Sequence, residues 1–367
     1  MANILTNLRE LSVALPFCSD ITIEKLTPKI FQHICDNNIQ NFDLKVNKIS
    51  KENKKFSPNE LDIIKNGFDL GYSLKKVLKL SNKNNKIIWL GNNKDDLIDL
   101  KINNYLISLK ENSNILRNIG LYQLLNYISN TNKFERGVNI FKYFALEDLN
   151  NWFHSSITSL KKLPSFIYES EKGYKSNAWF DEDTLFLKFN EEKEIIKNIS
   201  TLSYENFEKL TSAKIREKCF SKWLKYIPKD DFYYEAKMLC AKNAGNNLLN
   251  FINKNLVSTS QSVLNFFNLE SFNYIYAKND GKEIKIFEVP SISEINYKDY
   301  IIEDIKVDIP NSQLNLKTKI KNIRTGIYCI LRNEIRYSHG QLNGTPEAKL
   351  YYDSGDGLEK LIYKKLQ

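Results

Sequence analysis

Twelve residues, DLKINNYLISLK from Asp99 to Lys110, constrain this chain more than any other stretch. Isoleucine and leucine alternate with polar residues on both sides of Asn103-Asn104, and an Asn-Asn pair tolerates the positive φ angles of a two-residue hairpin turn. In that register, residues whose numbers sum to 207 face each other. Asp99 is then expected opposite Ser108, with side chains roughly 5 Å apart and Lys110 one diagonal step away. Ile98, Leu100, Ile102, Ile107 and Leu109 fall on the other face and are expected in a core. A carboxylate, a hydroxyl and an ammonium gathered at the edge of such a core suit metal-dependent phosphodiester chemistry.

A chain of 367 residues has room for two domains, and an apolar fraction of 42% with 21 Phe and 20 Tyr indicates a folded chain, not a disordered one. No apolar run approaches the ~20 residues that span a bilayer. The N-terminus lacks the basic-then-apolar layout of a signal peptide, so no membrane and a cytoplasmic location are expected. Five scattered cysteines without C-x-x-C spacing read as reduced thiols, and three isolated histidines do not suggest a zinc centre. The formal charge of +9 fits a polyanionic partner, although a Lys-, Asn- and Ile-rich composition produces the same excess.

Around the hairpin, Ser57-Pro58-Asn59-Glu60 predicts a helix start with a capping box, and the helix is expected to run to about Leu80. Leu61, Ile64, Phe68, Tyr72 and Leu78 are its buried candidates. KIIWL, Lys86 to Leu90, predicts a strand. After Lys110 a helix is expected over Ile115 to Ile128, and residues 130–255 read as mainly helical. Within them, Thr211 to Ile227 places Ile215, Cys219, Trp223 and Ile227 on one face, and Lys214, Lys218, Lys222 and Lys225 on the other. From about residue 255 the texture turns β-rich. The expected division is residues 1–56 as a helical and loop segment, 57–200 as a catalytic core with a helical extension, and 201–367 as a DNA-recognition region.

The pieces from Glu60 to Tyr127 resemble the core of the PD-(D/E)XK nuclease superfamily, which includes most type II restriction endonucleases. That core has a helix, a three-stranded meander carrying an acid and then an acid-x-lysine, and a following helix. The resemblance makes Asp99 the first acid and Ser108-Leu109-Lys110 the second motif, with serine in place of the usual carboxylate. It implies Mg²⁺ held by Asp99 and a further oxygen donor, for which Glu60, Asp96 and Glu111 are the candidates; one aspartate with a serine is a poor cage for Mg²⁺. Lys110 would orient the attacking water or stabilise developing negative charge. Gln123 and Tyr127 match a Gln-x-x-x-Tyr helix motif of the exonuclease branch. The fold implied is α/β (α+β), a restriction-endonuclease-like mixed sheet flanked by helices, with helical insertions and a β-rich C-terminal region.

The segment from Arg332 to Tyr352 is dense in base-reading chemistry: Arg336, Ser338, His339, Gln341, Asn343 and Lys349 are candidate DNA contacts, beside a tight turn at Asn343 to Pro346. The stripe of Lys214, Lys218 and Lys222 could line a phosphate backbone, although a stripe of this kind is usually a solvated helix face. Gly326-Ile327-Tyr328 does not open a GIY-YIG domain, because no Tyr-Ile-Gly follows, and no phosphate-binding glycine motif occurs. The function expected is a Mg²⁺-dependent, sequence-specific endonuclease of double-stranded DNA in a type II restriction setting, with homodimerisation left open. Two alternatives stand beside it. One is a nucleic-acid-binding protein whose Asp99 and Lys110 form an inert pair worth less than about 1 kcal/mol; the other is a repair or mobile-element nuclease on the same core.

Overall fold

The computed structural model describes the chain except for residues 1–3, 43–54, 82–83, 92–96, 111–114, 118–119, 130, 132, 256–262, 264, 268 and 338–339. The fold is mixed α+β, as expected, and divides into two compact units, both discontinuous in sequence. The first comprises residues 1–114, 269–296 and 356–367; the second comprises 115–268 and 297–355. These bounds do not coincide with the expected divisions at 56 and 200, because a strand from beyond residue 270 completes the sheet that the hairpin begins.

The first unit contains helices α1 (Ile4–Cys18), α2 (Pro28–Asn38) and α3 (Pro58–Val77) and a seven-stranded sheet. Its strands are β1 (Ile39–Gln40), β2 (Ile87–Trp89), β3 (Leu100–Ile102), β4 (Tyr105–Lys110), β10 (Tyr274–Asn279), β11 (Ile284–Val289) and β16 (Lys364–Lys365), in that spatial order. The hairpin has the register read from sequence: Leu100 faces Ile107, Lys101 faces Leu106 and Ile102 faces Tyr105. Asn103 sits at φ 54° in the turn, and its side chain closes that turn onto the Lys86 amide at 2.8 Å. Ile98, Leu100, Ile102, Ile107 and Leu109 are all buried. Along the other edge of β4 runs β10 in parallel, so Tyr276 neighbours Ser108 and Lys278 neighbours Lys110.

The capping box opens α3: Ser57 Oγ accepts from the Glu60 amide at 3.4 Å, and Glu60 Oε2 accepts from the Ser57 amide at 2.7 Å. Ile64 and Phe68 are buried as expected, whereas Tyr72 is exposed. Gly67 and Gly71, one turn apart, let α1 lie against α3; a Cβ at either would fall on the carbonyl oxygen of Arg9 or Val13. Without those methyl groups the helices approach until backbone meets backbone, which fixes the rotation and height of α1. Leu8, Leu11, Val13, Ala14, Leu15 and Phe17 are thereby buried, and so are Arg9 and Glu10.

In the second unit, strands β12 (Tyr300–Asp308), β13 (Leu314–Asn322), β14 (Tyr328–Arg336), β15 (Glu347–Gly355) and β5 (Ile115–Arg117) form an antiparallel sheet, in agreement with the β-rich C-terminal texture. Two expectations fail here. Ile115–Arg117 is a strand, because β15 offers it an edge to pair with, and the following helix α4 spans only Leu121–Ser129. Residues 166–196 are not helical but a four-stranded meander, β6 (Phe166–Glu169), β7 (Lys175–Asp181), β8 (Thr184–Phe189) and β9 (Glu192–Ile196). The period of two in NAWFD and TLFLKF decides it, since Ala178, Leu185 and Leu187 all point inward and none is exposed. The Thr211 to Ile227 segment does bury Ile215, Cys219, Trp223 and Ile227, but its pitch changes, with a π-helical stretch at Arg216–Phe220.

Candidate functional site

α1 reads LRELSVALPF through its middle, apolar apart from Arg9, Glu10 and Ser12. The helix is held in the core, so its charged pair is carried in with it: Arg9 is 7% and Glu10 4% exposed. Charges are rarely buried to that degree without partners. Glu10 Oε2 accepts a hydrogen bond from Trp89 Nε1 on β2 at 3.0 Å. Gly91, just past β2, lies flat against the same carboxylate, where a Cβ would collide with Oε2. The sequence reading missed this glutamate; the signal available was an Arg-Glu pair inside an otherwise apolar helix.

Asp99 stands at the mouth of the hairpin. Its amide donates to the Ile107 carbonyl at 2.9 Å, and its carbonyl accepts from the Leu90 amide at 2.9 Å. Its carboxylate Oδ2 accepts from the Leu109 amide at 2.6 Å, so the side chain fills a place in the strand ladder. Two further charges act on it, those of Lys110 and Arg9. Burial pushes the Asp99 carboxyl above its ordinary range, while Lys110, the Leu109 amide and Arg9 pull it back. Glu10 is pushed up to about 7 by burial and then by the charge of Asp99, against the Trp89 hydrogen bond, Arg9 and Lys110. The carboxylates of Glu10 on α1 and of Asp99 just before β3, with the half-buried ammonium of Lys110 at the end of β4, therefore form one electrostatic cluster.

The other expected site residues fall elsewhere. Ser108 is fully buried beside Tyr276, and its Oγ has no hydrogen-bond partner among the described residues. Glu60 is committed to the capping box of α3 and is not among the charges acting on Asp99 or Glu10. Asp96 and Glu111 lie outside the described residues. Gln123 and Tyr127 lie on α4 in the second unit, where Gln123 Oε1 accepts from the Gly120 amide at 3.1 Å and so caps its own helix.

The expected DNA contacts also belong to the second unit. Arg336 lies 3.3 Å from Glu334 and 4.0 Å from Glu347, and Lys349 lies 3.3 Å from Glu347. Gln341 gives its amide oxygen to Tyr233 and its carbonyl to Ser221, and the Asn343 carbonyl takes a hydrogen bond from Arg216 Nε at 3.3 Å. This loop is thus fastened to the helical segment, and Gly340 (φ +125°) presses on Ser221 where a side chain would not fit. Ser338 and His339 lie outside the described residues. In the lysine stripe, Lys214 pairs with Glu192 at 2.5 Å, Lys218 with Glu217 at 2.5 Å, and Lys222 sits 3.7 Å over the Tyr168 ring. Burial, then Lys218 and Lys225, lower the pKa of Lys222.

Hard carboxylate oxygens are the donors that suit Mg²⁺, which takes one or two carboxylates from a protein and keeps several waters. Glu10 and Asp99 meet that requirement: each commits one oxygen to an N–H donor, and those bonds leave Oε1 and Oδ1 unused. Among the described residues there is no group of three or more His, Cys, Asp or Glu side chains that would hold a metal by themselves. The described residues contain no helix long and apolar enough to cross a membrane. No family model, no curated protein and no solved structure matches the chain.

Proposed function

We propose that this chain is a Mg²⁺-dependent endonuclease of double-stranded DNA whose second acid is Glu10, contributed by α1 in place of the serine in Ser108-Leu109-Lys110. The observation that carries the proposal is the carboxyl of Glu10, raised by burial and by the charge of Asp99 and pulled back by Lys110. A neighbouring negative charge raises a carboxyl's affinity for a proton, as Asp99 does for Glu10, and a divalent cation relieves the same repulsion. Glu10 Oε1 and Asp99 Oδ1 would hold the ion, whose chemistry there is to stabilise phosphate charge and to make a nearby water more acidic.

The chain's own residues supply the rest. The Trp89 indole and the Leu109 amide each anchor one carboxylate oxygen, fixing the direction of the other. Arg9 moderates the charge of both acids from within the core. Lys110, on a strand paired on both edges, would offer its ammonium to a phosphate oxygen that gains negative charge during bond cleavage. Of the parts the family resemblance requires, the helix and three-strand meander have counterparts in α3 and β2–β4, whereas the following helix, α4, belongs to the second unit.

One observation favours a structural role for Asp99 instead, namely its hydrogen bond in the strand ladder. The two readings part experimentally. Long duplex DNA is incubated with Mg²⁺ and each variant, and fragments are resolved. Lys110→Ala is expected to abolish cutting while DNA binding stays within about tenfold, since one lost contact of ~1 kcal/mol changes affinity by less than that. Cutting that survives Lys110→Ala or Glu10→Gln in a folded variant removes the proposal.

A further inference from the structure

We infer that the outer face of the β6–β9 meander is a stacking platform for single-stranded nucleic acid, in addition to the endonuclease site. In an antiparallel sheet with one solvated face, apolar residues ordinarily point in and polar ones out. Here the inward set is complete: Ala178, Leu185, Leu187 and Ile196 are at most 1% exposed. The outward set departs from the rule. Trp179 faces Phe186 across β7 and β8, and Phe186 faces Ile195 across β8 and β9, so one cross-strand row is wholly apolar. Ile195, in that row, is 51% exposed.

The row beside it is polar and basic. Asn177 faces Lys188, and Lys188 faces Lys193. Neither lysine has a carboxylate within ion-pairing distance among the described residues, whereas the neighbouring acids of β9 point to the other side: Glu192 holds Lys214, and Glu194 accepts from the Ser212 amide at 2.9 Å. Trp179 and Phe186 stack with planes 2° apart and centroids 5.0 Å apart. The Lys193 ammonium lies 5.1 Å from the Phe186 centroid and 5.8 Å from that of Trp179. Pre-stacked rings bordered by unneutralised lysines match the two faces of a nucleotide, a flat base and a phosphate. Unpaired bases expose those faces and duplex bases do not, so the occupant is a single strand.

The test uses the full-length protein in EDTA, so that no cleavage intervenes, and a fluorescein-labelled oligothymidylate of about twenty nucleotides, long enough for the footprint of such a surface. Anisotropy should report binding that weakens with salt. Tryptophan emission should be quenched on binding, because Trp89, Trp152 and Trp223 are each 2% exposed and Trp179 alone among the four is not buried. Trp179→Ala should abolish the quenching and weaken binding about tenfold, the usual worth of one stacked base. Trp179→Phe should lose the quenching but keep most of the affinity. Lys188→Glu with Lys193→Glu, on outward side chains that tolerate substitution, should weaken binding and flatten its salt dependence by about 1.4 logarithmic units per unit, the value for two phosphates on a single strand. Unchanged oligonucleotide affinity in the lysine double variant overturns the inference. So does a Trp179→Ala protein that loses only self-association in sedimentation, which would make the face an interface between copies. Asp99→Asn should bind the oligonucleotide normally, so loss of cutting and loss of platform binding remain separate results.

Discussion

The two units handle charge in opposite ways. In the second, acids and bases alternate across the surface of the β12–β15 sheet and neutralise one another: Lys319 and Lys321 share Glu303, and Lys317 lies between Asp308 and Asp353. Hydrogen bonds and the charges of Lys319 and Lys321 hold Glu303 down to about 2. Such exposed pairs contribute little to stability, since solvent screens them. In the first unit a buried carboxylate is held near a half-buried one, and burial with the charge of Asp99 raises Glu10 to about 7. A perturbed carboxyl beside a second acid and a lysine makes that place the candidate site among the described residues.

The largest effect expected from breaking this contrast is on cutting. Glu10→Gln, Asp99→Asn and Lys110→Ala should each reduce DNA cleavage by about a thousandfold or more, as removal of a charge-stabilising group does, while Lys214→Ala should leave it within a few-fold. Gel assays over a range of enzyme concentrations would show it. Equal losses for all four would erase the distinction.

Next comes stability. The folded-state pKa of Glu10 lies above its unfolded value, so the folded state binds the extra proton. Stability tied to this group is therefore fully present below about pH 4.5 and declines as pH rises to about 7. The displacement from 4.5 to about 7 corresponds to about 3 kcal/mol. In EDTA, Glu10→Gln should flatten that decline and make the protein more stable than the parent at pH 8 by up to this amount, measured by urea unfolding at both pH values. A steeper decline in the variant would show that the glutamate is stabilised as the anion.

Adding Mg²⁺ or Ca²⁺ at pH 8 should raise the thermal midpoint of the parent, since a ligand that binds only the folded state stabilises it. Asp99→Asn should lose that rise. Gly71→Ala should cost about 2 kcal/mol, because the methyl group forces α1 off α3; its cleavage should fall too, through displaced Glu10. The smallest effects belong to the second unit's surface: Lys349→Ala or Lys321→Ala should change stability by less than about 1 kcal/mol.

What sequence could reveal was set by short-range rules. The hairpin register follows from a period of two and a turn of two asparagines, and the start of α3 follows from four residues that satisfy one another's hydrogen bonds. The β6–β9 meander was equally legible in its alternation, yet a reading dominated by the helical residues around it passed over that pattern. Ile115–Arg117 could not be read, since its three residues become a strand only by pairing with β15, far along the chain.

The site divides along the same line. Local sequence was enough to bring Asp99 and Lys110 to one end of a hairpin, because neighbouring strands inherit their register from the turn between them. Glu10 entered through tertiary packing alone. Its hydrogen bond to Trp89 spans 79 positions and depends on two glycines in a third element that let one helix settle against another. The burial of Glu10 and the effect of Asp99 on it, which make this acid chemically distinctive, exist only once that packing has brought α1 into the core.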